Sequence, residues 1–175
     1  WRAPLANDLD QWTVRRSGLS RTPGMGNGQS NAWFAHGLDK MTTALDGYEW
    51  VKKEGNILLK IESHTCNAGQ TTCFENRMEY TISGNGKMTV EHLVTPQGRM
   101  PEWLPRVGLQ LVLDSSFTHL EWYGRGPFET CPDRKTGAKI GVWSGWVADQ
   151  YVPYLIPQEN GNKTDVRWAT LQNGN

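Results

Sequence analysis

The chain has 175 residues, in which 18 Lys and Arg balance 18 Asp and Glu, so the formal net charge is zero. Zero net charge favours neither nucleic acid nor an anionic membrane as a partner, and no apolar run approaches the roughly 20 residues that cross a bilayer. We therefore expect a soluble chain that handles small or neutral partners. The length fits one domain over residues 1–175.

Residues 1–40 are predicted to be mostly loop with one short helix. They lack a sustained period, and the segment 20–28 contains one proline and three glycines, which favour turns. Asn31 is a suitable N-cap, because its side-chain oxygen accepts from the free amide groups of a first helical turn. The helix would include Trp33, Phe34, His36 and Leu38, and Gly37 would keep it brief.

Residues 41–175 are predicted to form a β-sandwich, because apolar residues there recur with period two and so place one face inward. Gly84-Asn85-Gly86 indicates a tight hairpin, and Asp114-Ser115-Ser116 a turn joining 107–113 to 119–123. The pattern predicts an all-β, antiparallel fold of about eight short strands with hardly any helix. The candidate strands lie at 48–50, 57–62, 74–83, 87–95, 107–113, 119–123, 139–143 and 166–171.

Three cysteines, Cys66, Cys73 and Cys131, are an odd number for a disulfide framework. Cys66 and Cys73 could still pair across a short loop. The interpretation that we favour is two ordinary reduced thiols near a turn, because nothing else in the sequence indicates an oxidising compartment.

The stretch 122–165 is the densest in glycines, prolines, aromatic residues and paired charges. Residues 124–127 indicate a strand that ends in a constrained turn, followed by two polar loops that we expect a hydrogen-bonded network to join. Carboxylates, amides and guanidinium groups among aromatic rings suit a sugar, which offers hydroxyl edges and apolar faces. Our candidate carbohydrate-binding or pocket-supporting residues are Arg125, Glu129, Asp133, Arg134, Trp143, Trp146, Glu159 and Asn160.

Each candidate also has a plainer structural interpretation. Asp133 and Arg134 would form ion pairs or hold loop backbone, and Glu159 would cap a turn. Trp50, Trp122 and Trp168 lie in strand-like runs and are expected in a core or interface, whereas Trp143 and Trp146 are the better candidates for exposure. The four histidines are too scattered for a zinc site, and no nucleotide loop is present.

Several motifs resemble one family. They are Gly124-Arg125-Gly126-Pro127, Pro132-Asp133-Arg134, Tyr151-Val152-Pro153-Tyr154 running into Pro157-Gln158-Glu159-Asn160-Gly161, and the opening Trp1-Arg2-Ala3-Pro4 with Asn7-Asp8. Together they resemble the C-terminal small-chain domain of β-galactosidases, in glycoside hydrolase family two. The chain departs from the family pattern at Ala6, usually acidic, at Thr130-Cys131, usually Asn-Tyr, and at Phe128, usually polar.

The resemblance implies a galactose-mutarotase-like β-supersandwich, of which this chain would hold a part with an exposed sheet edge. It implies that the chain has no catalytic residue, metal or cofactor of its own, because the acid/base and nucleophile glutamates of the family lie on a separate barrel. The parent would hydrolyse terminal non-reducing β-D-galactose residues, use Mg²⁺ and Na⁺ or K⁺, and assemble as a homo-oligomer. It would be bacterial-type, cytoplasmic or periplasmic, and the start at Trp1 within a motif predicts a piece of this longer protein.

Two other functions stay open from the residues alone. One is a free-standing carbohydrate-binding module built on exposed tryptophans. The other is a small mutarotase-like enzyme, which needs a general acid and a general base facing one pocket. His119 and Glu159 would have to supply those two groups.

Overall fold

The computed structural model describes residues 5, 8, 29–154 and 159–173. The predicted loop segment 20–28 and the motif residues 1–4, 7 and 157–158 lie outside these described residues. The chain divides into two compact units, Trp1–Val107 and Gly108–Asn175, called here the first and second units. Extension of a single domain over residues 1–175 remains a prediction.

The first unit contains one four-stranded antiparallel sheet and one short helix. The helix α1 spans Gln29–Ala35, and a single 3-10 turn follows at Leu38–Lys40. The strands pair in the order β1-β2-β3-β4, each with its neighbour in sequence. Their bounds are Thr42–Lys53 for β1, Asn56–Cys66 for β2, Thr72–Ser83 for β3 and Met88–Gly98 for β4.

The short helix is confirmed, although its start is not where the sequence predicted. It begins at Gln29, so Asn31 lies inside its first turn and is not the N-cap. Gly37 follows the helix with φ +68°, a left-handed conformation that glycine adopts without strain. Trp33 is buried in a cluster with Leu38 and Phe74. The helix thus covers one end of the sheet.

The hairpin at Gly84-Asn85-Gly86 is confirmed. Gly86 has φ +85° and donates its amide to the carbonyl of Ser83, while the side chain of Asn85 accepts from the Lys87 amide at 3.1 Å. Because the turn type and loop length of a hairpin fix its register, the pairing of β3 with β4 follows from this turn.

One face of this sheet carries the alternating apolar residues. Trp50 stands opposite Leu59, and Leu59 stands opposite Tyr80. The four strands are present where predicted, although β1 and β2 are longer than 48–50 and 57–62. The expectation that this face is buried is wrong for the described residues, since Tyr48 is 68% and Trp50 64% exposed. The short helix reaches the other end of the sheet, around Phe74, and leaves these rings uncovered by the described chain.

The second unit contains a three-stranded antiparallel sheet in the order β6-β5-β7. The strands are β5 at Phe117–Gly126, β6 at Lys139–Trp146 and β7 at Trp168–Asn173. Strand β5 ends at Gly126, as the sequence predicted, and the peptide bond between Gly126 and Pro127 is cis. The chain is thus mostly β, with two antiparallel sheets and one short helix in its described part.

The predicted strand at 107–113 is wrong. These residues form no strand, and Leu111 and Val112 are among the most exposed apolar side chains. The predicted turn does form, with the Phe117 amide donating to the carbonyl of Asp114. Strand β5, however, uses both of its edges to pair with β6 and β7, so it has no free edge left for 107–113. Among the described residues, no helix is long and apolar enough to span a bilayer.

Candidate functional site

Two loops of the second unit meet beside the carboxyl end of β5. The first, residues 127–138, joins β5 to β6, and the second, residues 159–167, leads into β7. Backbone bonds hold the second loop to β5, from the Arg125 amide to the Thr164 carbonyl and from the Arg167 amide to the Tyr123 carbonyl. Polar side chains of both loops therefore lie within reach of one another.

Glu129 is the centre of the network between the loops. It is only 7% exposed, and its carboxylate accepts hydrogen bonds from the side chains of Arg134 and Tyr154. The backbone amide of Gly161 donates to its second oxygen at 2.7 Å. Arg134 also donates to the Tyr154 hydroxyl at 3.1 Å. Both oxygens of this buried carboxylate are thus used by the chain itself.

Glycine at position 161 is required by two features. Its φ is +72°, and a Cβ atom there would lie 2.7 Å from the carbonyl oxygen of Gln150. Any side chain would therefore displace the amide that donates to Glu129.

Thr130, next to Glu129, joins the same two loops and is fully buried. Its hydroxyl bonds that of Thr164 at 2.8 Å and accepts from the Thr164 amide at 2.9 Å. Its backbone exchanges two bonds with Asn162, whose carbonyl accepts from the Thr130 amide and whose side chain donates to the Thr130 carbonyl. All polar groups of Thr130 are therefore satisfied.

A second charged cluster lies around Asp165. Nε of Arg125 donates to one oxygen of Asp165 at 2.5 Å, and Nζ of Lys135 to the other at 3.1 Å. Arg125 also donates to the carbonyls of Lys135 and Ala138, at 3.1 and 2.9 Å. Arg125 thus fixes the first loop to the second, which is a structural role.

Two of the loop carboxylates, Glu129 and Asp165, have a pKa below the ordinary value. Burial acts to raise the pKa of Glu129, but the hydrogen bonds from Tyr154, Arg134 and the Gly161 amide outweigh it, so the pKa lies below the ordinary value. Bonds from Arg125 and Lys135 likewise lower the pKa of Asp165. The hydrogen bonds that Arg134 donates to Tyr154 and Glu129 raise the pKa of Arg134 in turn. A general acid needs the opposite shift, towards neutral pH.

Trp122 lies beneath the loops and is 2% exposed. Its indole nitrogen donates to the carbonyl of Arg125 at 2.9 Å, and Nζ of Lys163 lies 4.9 Å from the ring centroid. Burial lowers the pKa of Lys163, against the opposing charge of Glu129. The predicted core position of Trp122 is confirmed, whereas Trp168 is partly exposed and tilts against Tyr123.

Trp143 and Trp146 do not form one surface. They are three residues apart on β6, and side chains of a strand alternate, so the rings point to opposite faces. Trp143 is half-buried over Gly126 and donates to the carbonyl of Gly124 at 3.2 Å. Trp146 is 55% exposed, with its ring edge against His119. The predicted exposure is confirmed for Trp146 only.

The network that the sequence predicted between the loops is present, but with different members. Glu129 and Arg134 belong to it, whereas Asp133 and Asn160 are exposed and make none of the hydrogen bonds around Glu129 in the described part of the chain. Glu159 is half-buried, two residues before the Gly161 amide that Glu129 binds. Sequence reasoning did not assign the contacts of Tyr154, Gly161, Thr130 and Asn162. The available signal was the position of Tyr154 and Gly161 inside the family motifs.

Comparison with protein families matches residues 1–175 to the family described as beta galactosidase small chain. The two antiparallel sheets and the polar loops at the end of β5 are therefore features of a chain whose sequence matches this family. The chain belongs to the beta-galactosidase small-chain family.

Similar proteins include several named beta-galactosidase. The chain is 50% identical to the one from Priestia megaterium over 54% of its own length and 9% of that protein's. It is 32% identical to the one from Oenococcus oeni over 94% of the chain and 15% of that protein. For Pseudoalteromonas haloplanktis the identity is 34%, over 99% of the chain and 16% of the protein. The chain thus corresponds to about one sixth or less of these relatives.

Proposed function

We propose that this chain is a non-catalytic β-domain of a β-galactosidase that hydrolyses terminal non-reducing β-D-galactose residues. In this role it supports the catalytic barrel and the rim of its sugar pocket. The family match over residues 1–175 is the observation that carries the proposal. If the parent uses Mg²⁺ and Na⁺ or K⁺, these ions would bind on its other domains. The proposal also includes a homo-oligomeric parent.

The state of two of the loop carboxylates, Glu129 and Asp165, supports the non-catalytic part of the proposal. A glycosidase needs one carboxylic acid to protonate the leaving oxygen and one carboxylate to attack or activate water. Glu129 and Asp165 each bind two cationic or hydroxyl donors of this chain, and both have a lowered pKa. Neither is free to exchange a proton with a sugar near neutral pH.

The apolar face of the four-stranded sheet supports the docking part. Tyr48, Trp50 and Met88 are large apolar side chains on that face, and each is more than half exposed. A patch of this kind on a soluble domain usually marks an interface. We propose that the rest of the parent, including further strands of a β-supersandwich, covers it.

Hydrolysis of a chromogenic β-galactoside tests this function. The isolated 175-residue chain should show no turnover, and the full-length parent should be active. Turnover by the purified chain that Glu159→Gln abolishes would contradict the proposal and favour the mutarotase-like or another catalytic function.

A carbohydrate-binding module is the second candidate, favoured by the exposed ring of Trp146. Under the main proposal the chain binds galactose with a dissociation constant of about millimolar or weaker, because most of the pocket belongs to other domains. An NMR titration decides between the two. Micromolar affinity with shifts centred on Trp143 and Trp146 would favour the module.

A further inference from the structure

A disulfide joins Cys66 and Cys73 in the first unit, which corrects the expectation of two reduced thiols. Cys66 is the last residue of β2, Cys73 is the second residue of β3, and the two stand directly opposite in the strand register. The backbone ladder alone therefore holds the two sulfur atoms close. Closing or opening the bond requires no rearrangement of the sheet.

The disulfide closes a turn that Asn67 organises. The Asn67 amide donates to the Thr72 carbonyl at 3.0 Å, and its side-chain oxygen accepts from the amides of Thr71 and Thr72. Asn67 thus uses both its backbone and its side chain to shape the residues between the two cysteines.

The same turn holds the end of helix α1. The side-chain amide of Asn67 donates to the carbonyl of His36 at 3.0 Å, and a Cβ atom on Gly37 would lie 3.1 Å from Cβ of Asn67. Trp33 and Leu38, on either side of this contact, are buried against Phe74, the residue after Cys73. The position of the helix and its buried ring thus depends on the turn.

The turn also holds the end of β4. The Arg99 amide donates to the carbonyl of Thr71 at 2.7 Å, and the buried hydroxyl of Thr72 donates to the carbonyl of Arg99 at 2.8 Å. Gly98 has φ +78°, and a Cβ atom there would lie 2.4 Å from the Thr71 carbonyl oxygen. The ends of two elements, α1 and β4, therefore meet at the β2–β3 turn, which is the segment that the disulfide encloses.

We propose that Cys66 and Cys73 form a redox-controlled pin, whose oxidation fixes α1 and its aromatic cluster on the sheet and whose reduction loosens them. This goes beyond the proposed galactosidase role, which needs no redox chemistry. Cys66 is buried and Cys73 is half-buried, so Cys73 is the sulfur that an external thiol reaches. The pin is closed in an oxidising compartment and opens in a thiol-reducing one.

The exchange needs a small thiol such as glutathione. An external thiolate attacks Sγ of Cys73, breaks the bond between the two cysteines and releases Cys66 as a thiolate. A second external thiolate then attacks the mixed disulfide on Cys73 and leaves with the first as an oxidised external disulfide. Two external thiols are oxidised, one protein disulfide is reduced, and each released thiolate takes up a proton below its pKa.

Hydrogen exchange of the full-length parent, followed by mass spectrometry of its peptides, tests the pin. Reduction with excess glutathione should speed amide exchange about tenfold or more in two segments, residues 29–40 and 67–72, because the turn gains conformational freedom that reaches the helix through Asn67. Reoxidation with glutathione disulfide should restore protection. Strands β1 and β2 should change little.

Two variants control the experiment. Cys66→Ser with Cys73→Ser should show the fast exchange without reductant and no response to it, whereas Cys131→Ser should respond as the unaltered protein does. Should the double variant fail to fold, the reversible response of the unaltered protein remains decisive. Exchange that changes in 67–72 but not in 29–40, or peptide mapping under oxidising conditions without a Cys66–Cys73 link, would overturn the proposal.

Discussion

The first and second units differ in the interactions that stabilise each of them internally. In the first unit each strand pairs with its neighbour in sequence, and the buried cluster is the small group around Trp33 and Phe74. In the second unit the central strand β5 pairs with β7, more than forty residues later, and the connecting loops bury Glu129 and Thr130. Local pairing requires little beyond hairpin turns, whereas distant pairing requires loops that are held in place by specific bonds.

The charged side chains of the two units also differ in burial and in the number of their hydrogen bonds. In the first unit Lys60 lies between Glu49 and Glu79 on an exposed face, at 3.4 and 3.9 Å. In the second unit Glu129 is buried and has three donors. Exposed pairs contribute little to stability, whereas a buried carboxylate that loses a donor is costly. The comparison therefore predicts a gradient of mutational effects.

The largest expected effect is loss of a buried indole. Trp122→Ala should lower the free energy of unfolding by about 3 to 5 kcal/mol, because the loops lose the ring that they cover. Trp146→Ala removes an exposed ring on the same sheet and should cost about 1 kcal/mol or less. Urea unfolding measures both. Equal losses for the two variants would contradict the burial that separates these rings.

Arg134→Ala should have the next largest effect, about 1 to 3 kcal/mol. The Arg134 side chain is itself 54% exposed, which screens the pair, but its removal deprives the buried Glu129 of a charged donor. Lys60→Ala in the first unit, as the matched control, should cost less than about 1 kcal/mol. Thermal unfolding of both variants gives the comparison.

In the full-length parent, Arg134→Ala should lower the melting temperature or domain docking first, and turnover only as a consequence. A variant with the melting temperature and assembly of the unaltered parent, but with a thousandfold loss of turnover, would show instead that this loop acts on the substrate.

Acid should weaken the second unit through Glu129. Its folded pKa lies below the ordinary value of 4.5, so the unfolded chain binds the proton more readily. The stabilisation is therefore complete above about pH 4.5 and is lost as the pH falls through the folded pKa. Glu129→Gln should flatten this acid dependence, and Tyr154→Phe, which removes one donor, should flatten it in part. Unfolding free energies between pH 3 and 6 supply the readout, and an unchanged slope in Glu129→Gln would refute the assignment.

The smallest expected effect lies in the hairpin of the first unit. Gly86→Ala should cost about 1 kcal/mol, because alanine resists φ +85°. Gly84→Ala, where φ is not positive and a Cβ atom meets nothing within 4 Å, should cost less than about 0.5 kcal/mol. A Cβ atom at either position has open space, so the difference between the denaturation midpoints of the two variants measures the cost of positive φ at residue 86.

The sequence by itself determined the elements that depend on local pattern. Period-two alternation located the strands of both sheets, Gly84-Asn85-Gly86 located the hairpin, and Gly37 predicted that the helix would be short. The family motifs identified the class of the chain. The strands, the hairpin and the short helix depend on residues that are close in sequence, so their patterns can be read from the sequence alone.

Only the tertiary structure decided which partners each segment finds. Residues 107–113 alternate like a strand but form none, because β6 and β7 occupy both edges of β5. Cys66 and Cys73 pair because the register places them opposite each other. Arg134 binds Glu129, while Asp133 beside it is exposed. Such choices depend on distances between residues far apart in sequence, and these distances are fixed only once the strands are paired.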